Sequence, residues 1–86
     1  QNFPNPFNPQ TTVGFDLPQA EHVTLTVYNL LGQRIRTLAD GDFDAGHQSV
    51  MWDGRGDNGD AVASGVYLYR LEAGSYVATK KMLLLK

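Results

Sequence analysis

The stretch His22-Val23-Thr24-Leu25-Thr26-Val27-Tyr28 alternates apolar and polar residues without a break after its first residue. Val23, Leu25 and Val27 fall on one face of an extended chain, and Thr24, Thr26 and Tyr28 fall on the other. A period of two is useless to a helix and natural to a half-buried strand. The β-branched residues that dominate the stretch suit a pleated surface. The same period recurs along the chain. Val13, Phe15 and Leu17 share a face until Pro18 ends the run. Val50 and Trp52 share another, and Tyr67, Tyr69 and Leu71 oppose Val66, Leu68 and Arg70. No segment holds an apolar period of 3.6 over a useful length.

Between these runs stand Gly, Asn and Asp. Asn29 to Gly32 turns the chain, and Ile35 and Leu38, three apart, signal a bulge or a strand end in the run that follows. Residues 41–46, GDFDAG, read as a loop. Asn58-Gly59 is a two-residue hairpin signal of type I′, a turn whose central residues both need φ > 0. Ala73-Gly74-Ser75 is a tight turn, and YVATKKMLLLK closes the chain. Six or seven short strands at spacings of about 8–12 residues predict an all-β fold. Apolar faces on so many strands need two sheets to cover them. The expectation is an antiparallel β-sandwich of about seven strands, in a single domain over residues 1–86.

The opening QNFPNPFNPQTT has to fit that reading. Three of the four prolines lie in the first nine residues, interleaved with Phe3 and Phe7. Proline is tolerated at edge strands and strand starts, where its missing N–H costs nothing. Each X-Pro step also holds the preceding residue extended. The stretch is thus expected to lead into the first strand, with Phe7 as a peg that caps one open end of the sandwich.

At 86 residues folding removes about 60% of the unfolded chain's surface, so the core is small. There is no cysteine to add a disulfide or a thiolate metal site. The longest strictly apolar run, Met82 to Leu85, is far too short to span a bilayer. A net charge of −2 argues against a nucleic-acid partner. The charge is unevenly spread: six aspartates lie between Asp40 and Asp60, whereas Lys80, Lys81 and Lys86 have no side-chain acid after Glu72. The lysines keep an apolar edge strand soluble, or they are read by a partner. Because the chain starts on Gln rather than Met, it is expected to be a piece of a longer protein.

The blocks PNPFNP, VYNLLGQ, GHQSVMWDGRGDNG, ASGVYLYRLEAG and KKMLLLK, in this order, resemble the C-terminal sorting domain of type IX (Por) secretion substrates. They are equally similar to the related immunoglobulin-like domain of the flagellar hook-capping protein family. The likeness covers essentially the whole chain. The sorting family implies a non-catalytic tag that carries a cargo across the outer membrane to the cell surface. Its partners would be the outer-membrane translocon and a surface sortase-like peptidase, met in transit through the periplasm, with no membrane insertion and a monomeric state. The family's landmarks fall on Pro4, Asn5, Pro6 and Phe7, on Gly65 and Tyr67 around Val66, and on Lys80, Lys81, Leu83, Leu84, Leu85 and Lys86. The hook-cap likeness implies instead a structural or assembly module that stays in its parent protein. A third reading is an ancillary carbohydrate-binding module.

Catalysis has no visible constellation. His22 and His47 lie at separate strand starts, and no serine sits in a G-x-S-x-G frame. Asp40, Asp42 and Asp44 match the first three ligands of a calcium loop. The match then fails, with Ala45 at the glycine position and Met51 at the bidentate position. No cofactor is expected. Arg55-Gly56-Asp57 spells an adhesion tripeptide that also suits a turn, and Trp52, Tyr67 and Tyr69 are expected to pack between the sheets rather than line a sugar platform.

Overall fold

Six strands run through a computed structural model of the chain, in which residues 11–85 are described. They are β1 (Thr11–Leu17), β2 (Glu21–Tyr28), β3 (Arg34–Phe43), β4 (Gly46–Trp52), β5 (Gly65–Ala73) and β6 (Tyr76–Leu84). β1, β2, β4 and β5 cover the period-two runs, and β3, whose apolar residues stand three apart, is the exception. β1 pairs with β4 in a two-stranded sheet. The other four form a sheet in the order β3-β2-β5-β6, and every ladder is antiparallel. The fold is the expected sandwich, with six strands among the described residues where about seven were expected. The proposed peg Phe7, with Pro4, Asn5, Pro6 and Lys86, lies outside the described residues.

The inward faces are the ones the alternation marks. Val13, Phe15 and Leu17 of β1 meet Val23 and Leu25 of β2 and Leu71 and Ala73 of β5 in one cluster. Val27, Trp52, Tyr67 and Leu84 form a second cluster toward the opposite end. Val23, Leu25, Val27, Trp52 and Leu84 have no solvent exposure. Full burial of such side chains contributes about 1.5–3 kcal/mol each relative to leaving them in water.

Three local expectations meet the structure differently. The spacing of Ile35 and Leu38 does mark irregularity. The β2–β3 register jumps from Leu25↔Ala39 to Thr26↔Thr37 and again from Val27↔Arg36 to Tyr28↔Arg34, so Leu38 and Ile35 are the two unpaired residues. Both bulges let an extra apolar side chain reach the core.

The loop expected at residues 41–46 is shorter. β3 continues through Phe43, and only Asp44 and Ala45 separate it from β4. The Phe43 ring holds the strand there by meeting Phe15 edge to face at 5.7 Å. This short link carries the chain from one sheet to the other.

Asn58-Gly59 is not a type I′ turn, because among the described residues no non-glycine has positive φ. The turn spans Gly56 to Gly59, where the Gly59 N–H donates to Gly56 O at 2.9 Å and Gly59 alone is left-handed at φ 87°. Gly56 N–H then donates to Asp60 O. This is a type I turn closed by a glycine bulge. Asn58 Oδ1 stabilises it by accepting the Asp60 N–H at 3.0 Å. The β5–β6 hairpin is as read: Gly74 and Ser75 close it, with Gly74 at φ 59°.

Candidate functional site

The sequence between β4 and β5 is rich in Asp, Gly and Asn, and its polar groups are turned on one another. Trp52 Nε1 donates to Arg55 O at 2.8 Å, and Arg36 Nη1 donates to the same carbonyl at 3.2 Å and to Asp53 Oδ1 at 3.0 Å. Arg55 N–H donates to Asp53 Oδ1, and its Nη1 donates to Gly59 O at 2.9 Å. Asp57 Oδ1 accepts the Thr37 N–H at 3.0 Å, while Asp57 N–H donates to Ile35 O at 2.9 Å. The loop therefore satisfies backbone groups along the bulged part of β3. Arg55-Gly56-Asp57 is a structural clasp, with both charged side chains engaged within the domain.

The aromatic residues are likewise internal. Trp52 and Tyr67 meet edge to face at 5.2 Å, and Tyr67 Oη donates to Ala63 O at 2.6 Å. A tyrosine hydroxyl tied to backbone four residues upstream, at the start of a strand, is a recurrent corner device of immunoglobulin-like sandwiches. Trp52 is fully buried and Tyr67 is 8% exposed. Neither can serve as part of a sugar platform.

Burial also divides the landmark residues on and beside β5 and β6. Tyr67 and Leu84 belong to the core, so a partner of the folded domain cannot touch them. Strand alternation is the reason: Tyr67 and Leu84 lie on the inward face, where they pack with Trp52 and Val27. Lys80, Lys81, Leu83 and Leu85 are exposed, and Gly65 is half-buried. β6 is an outer strand of its sheet, as an edge position requires.

The most exposed apolar pair lies elsewhere, in a turn noted in the sequence only as a turn. Leu30 and Leu31 are 65% and 84% exposed. Asn29 holds them there. Its Oδ1 accepts the N–H groups of Leu31 and Gln33, both at 3.0 Å, and its Nδ2 donates to Gln33 Oε1 at 2.7 Å. Backbone bonds from Asn29 N to Gln33 O and from Gly32 N to Asn29 O close the same turn. The signal was two leucines between Asn and Gly, out of phase with any strand.

Two histidines face aspartates across their ladders. His47 Nδ1 lies 2.9 Å from Asp16 Oδ1. His22 sits between two carboxylates, with Nε2 2.8 Å from Asp40 Oδ1 and Nδ1 3.3 Å from Asp42 Oδ1. Asp40 and Asp42 thus lie on β3, two apart on one face, rather than in a calcium-type loop. Among the described residues no group of three or more His, Cys, Asp or Glu is arranged to hold a metal ion.

A neutral imidazole has one N–H, so only the protonated ring donates to both aspartates. Hydrogen bonds to Asp40 and then Asp42 accordingly raise the His22 pKa above 6.5. The stability this contributes is complete below pH 6.5 and is lost as pH rises through the raised folded-state value. NMR titration of the His22 ring is expected to give a midpoint above 6.5, and Asp40→Asn is expected to lower it. A midpoint unmoved by Asp40→Asn would show that the contact carries no coupling.

Compared with known families, residues 4–76 match the FlgD Ig-like domain. The chain belongs to that family. Among solved structures, the crystal structure of FlgD from P. aeruginosa is similar to it, with a TM-score of 0.70 at 24% sequence identity. The likeness covers 87% of this chain and 58% of the P. aeruginosa chain, and it establishes the shared fold. No curated protein sequence matches the chain. The FlgD Ig-like side of the resemblance is thereby shown. The sorting-domain side receives no support from these matches.

Proposed function

We propose that the domain is a non-catalytic structural and assembly module that acts by protein–protein contact. Membership of the FlgD Ig-like family supports a building block of this kind. The observation that carries the reading is the Asn29 turn, which thrusts Leu30 and Leu31 into solvent on a hydrogen-bonded frame. A preorganised apolar projection loses little conformational freedom on docking. The chemistry it fits is an apolar recess on a neighbouring protein.

A second reading, the type IX sorting tag, draws on one observation. β6 is an outer strand whose Lys80, Lys81 and Leu83 are exposed, as is Leu85 just beyond it, and its edge is open to strand addition by an export partner. Surface localisation, a translocon and a sortase-like peptidase belong to this reading alone.

One experiment separates the two. Leu30→Ser/Leu31→Ser is introduced into the polypeptide that carries the domain, and the complexes formed in its native host are sized by sedimentation. Folding is expected to shift by about 0.5 kcal/mol or less per site, because neither side chain touches the core. The complexes are expected to shrink. Unchanged complexes from a folded variant would overturn the assembly reading. Reduced export of a periplasmic reporter by Lys80→Gln/Lys81→Gln in a type IX-competent host would favour the second.

A further inference from the structure

An antiparallel sheet with one face on a core carries polar residues on the other. The four-stranded sheet keeps that rule at one end of its outer face and breaks it at the opposite end. At the regular end the outward residues are His22 and Thr24, Asp40 and Asp42, and Glu72, with Val77 as an isolated exception. At the other end Tyr28 of β2 pairs with Leu68 of β5, and Val66 of β5 pairs with Leu83 of β6. Parity turns all four away from the core, because Val27, Tyr67 and Leu84 beside them are buried. Tyr28 and Leu68 are half-buried, and Val66 and Leu83 are 41% and 54% exposed. Leu30 and Leu31 leave the sheet at this same end, where β2 runs into its turn. Strand residues that are apolar on both faces fit a sheet that is covered on both faces.

Two cations frame the apolar end. One row of the sheet, read across its four strands, is Arg34, Tyr28, Leu68 and Lys81. Arg34 has Asp57 at 3.7 Å. Lys81 is exposed and forms no ion pair among the described residues. Any partner that covers Leu68 and Leu83 also takes water away from Lys81, and a cation desolvated without an acid opposite it is costly.

We propose that this end of the outer sheet face and the Leu30–Leu31 turn form one docking surface, and that its occupant is a different protein whose apolar contact carries a carboxylate facing Lys81. The inference rests on the assembly reading and extends its two-leucine projection into a surface. Charge selects the occupant. Complementary charges across an interface fix register and exclude wrong partners. A second copy docked through the same patch cannot supply the acid, since a two-fold contact sets the patch against itself. The acids beside its flanking arginines are already engaged: Asp57 with Arg34 and the Thr37 N–H, and Glu72 with Arg70.

The test uses the polypeptide that carries the domain, in its native host, with complexes sized by sedimentation. Val66→Thr/Leu83→Thr, which keeps strand-favouring residues in the sheet, is expected to shrink the complexes. Lys81→Glu is expected to weaken association about tenfold or more. Val77→Thr, at the polar end of the same face, is expected to leave the complexes unchanged. So is Lys80→Glu, because Lys80 lies on the opposite face, in the groove between the sheets. Thermal melts report whether each variant is folded. Should Val66→Thr/Leu83→Thr unfold, the contrast between the exposed neighbours Lys80 and Lys81 carries the test. A photo-cross-linking residue at position 83 is expected to attach to another protein, within a segment that holds Asp or Glu. Changing that carboxylate to Lys is expected to restore the complexes lost in Lys81→Glu. Complexes reduced by Leu30→Ser/Leu31→Ser but untouched by Lys81→Glu and by Val66→Thr/Leu83→Thr would overturn this inference and leave the assembly reading standing. Complexes untouched by all three would overturn both. A cross-link to a second copy or to lipid, or a charge reversal that restores nothing, would overturn the occupant.

Discussion

Trp52→Ala is expected to remove a large share of the domain's stability at 25 °C. Trp52 is fully buried, touches Tyr67 edge to face, and anchors the β4–β5 loop through Arg55 O. Truncating a buried tryptophan to alanine costs about 3–5 kcal/mol. Domains carry about 0.05–0.15 kcal/mol per residue, so roughly 4–13 kcal/mol is the whole reserve of a chain this size. The lost indole N–H adds less than the cavity does, because Arg36 still donates to the Arg55 carbonyl. Trp52→Phe separates the two effects: it keeps a ring against Tyr67 and removes the donor. Its cost is expected to be well below that of alanine. Urea unfolding followed by far-UV circular dichroism reads both variants. A Trp52→Ala midpoint equal to that of the parent would show that the second core cluster does not depend on this side chain.

The second large effect lies in the terminal leucines. Leu84→Ala is expected to cost about 2–5 kcal/mol, because that side chain has no exposure and closes the cluster with Trp52 and Tyr67. Leu83→Ala and Leu85→Ala, at 54% and 67% exposure, are expected to cost about 0.5 kcal/mol or less. Three identical residues in a row would thus differ severalfold in the same thermal melt. A larger effect at Leu83 than at Leu84 would place the β5–β6 register one residue away from Val66↔Leu83. The contrast also bears on recognition. A loss of function from Leu84→Ala reports unfolding, whereas the same loss from Leu83→Ala with an unchanged melt reports a contact.

The alternation of Val23, Leu25 and Val27 was legible because sheet faces are set by residue parity, which is local. So was the irregularity at Ile35 and Leu38, where a three-residue spacing cannot stay on one face without an extra residue. Gly41 to Phe43 misled because aspartate and glycine favour turns locally, while the contacts that keep them in β3 come from far along the chain: His22 of β2 to Asp42 and Phe15 of β1 to Phe43. Asp57 is the same kind of case. Its bond to Thr37 depends on a bulge that brings β3 and the loop together, and nothing near position 57 announces it. The exposure of Leu30 and Leu31 was invisible for another reason. Hydrophobicity predicts burial on average, and only the Asn29 hydrogen bonds hold this pair outward. Among the terminal landmarks, parity alone could have set Leu84 apart from Leu83, once Tyr67↔Met82 fixed the register.

The strand order has a kinetic consequence. Two hairpins, β2–β3 and β5–β6, are local and can form on the microsecond scale. The ladder that joins them, with Val27 opposite Tyr69, and the β1–β4 ladder, with Thr11 opposite Trp52, both close long loops. Such closures are paid in chain entropy before any apolar surface is covered, so topologies rich in them fold in milliseconds to seconds. A nascent chain therefore displays two ready hairpins with open edges until Trp52 and Tyr67 arrive together. The long-range closures, β2 with β5 and β1 with β4, are therefore expected to be the slow steps, and the interval before them is when the open hairpin edges can mispair.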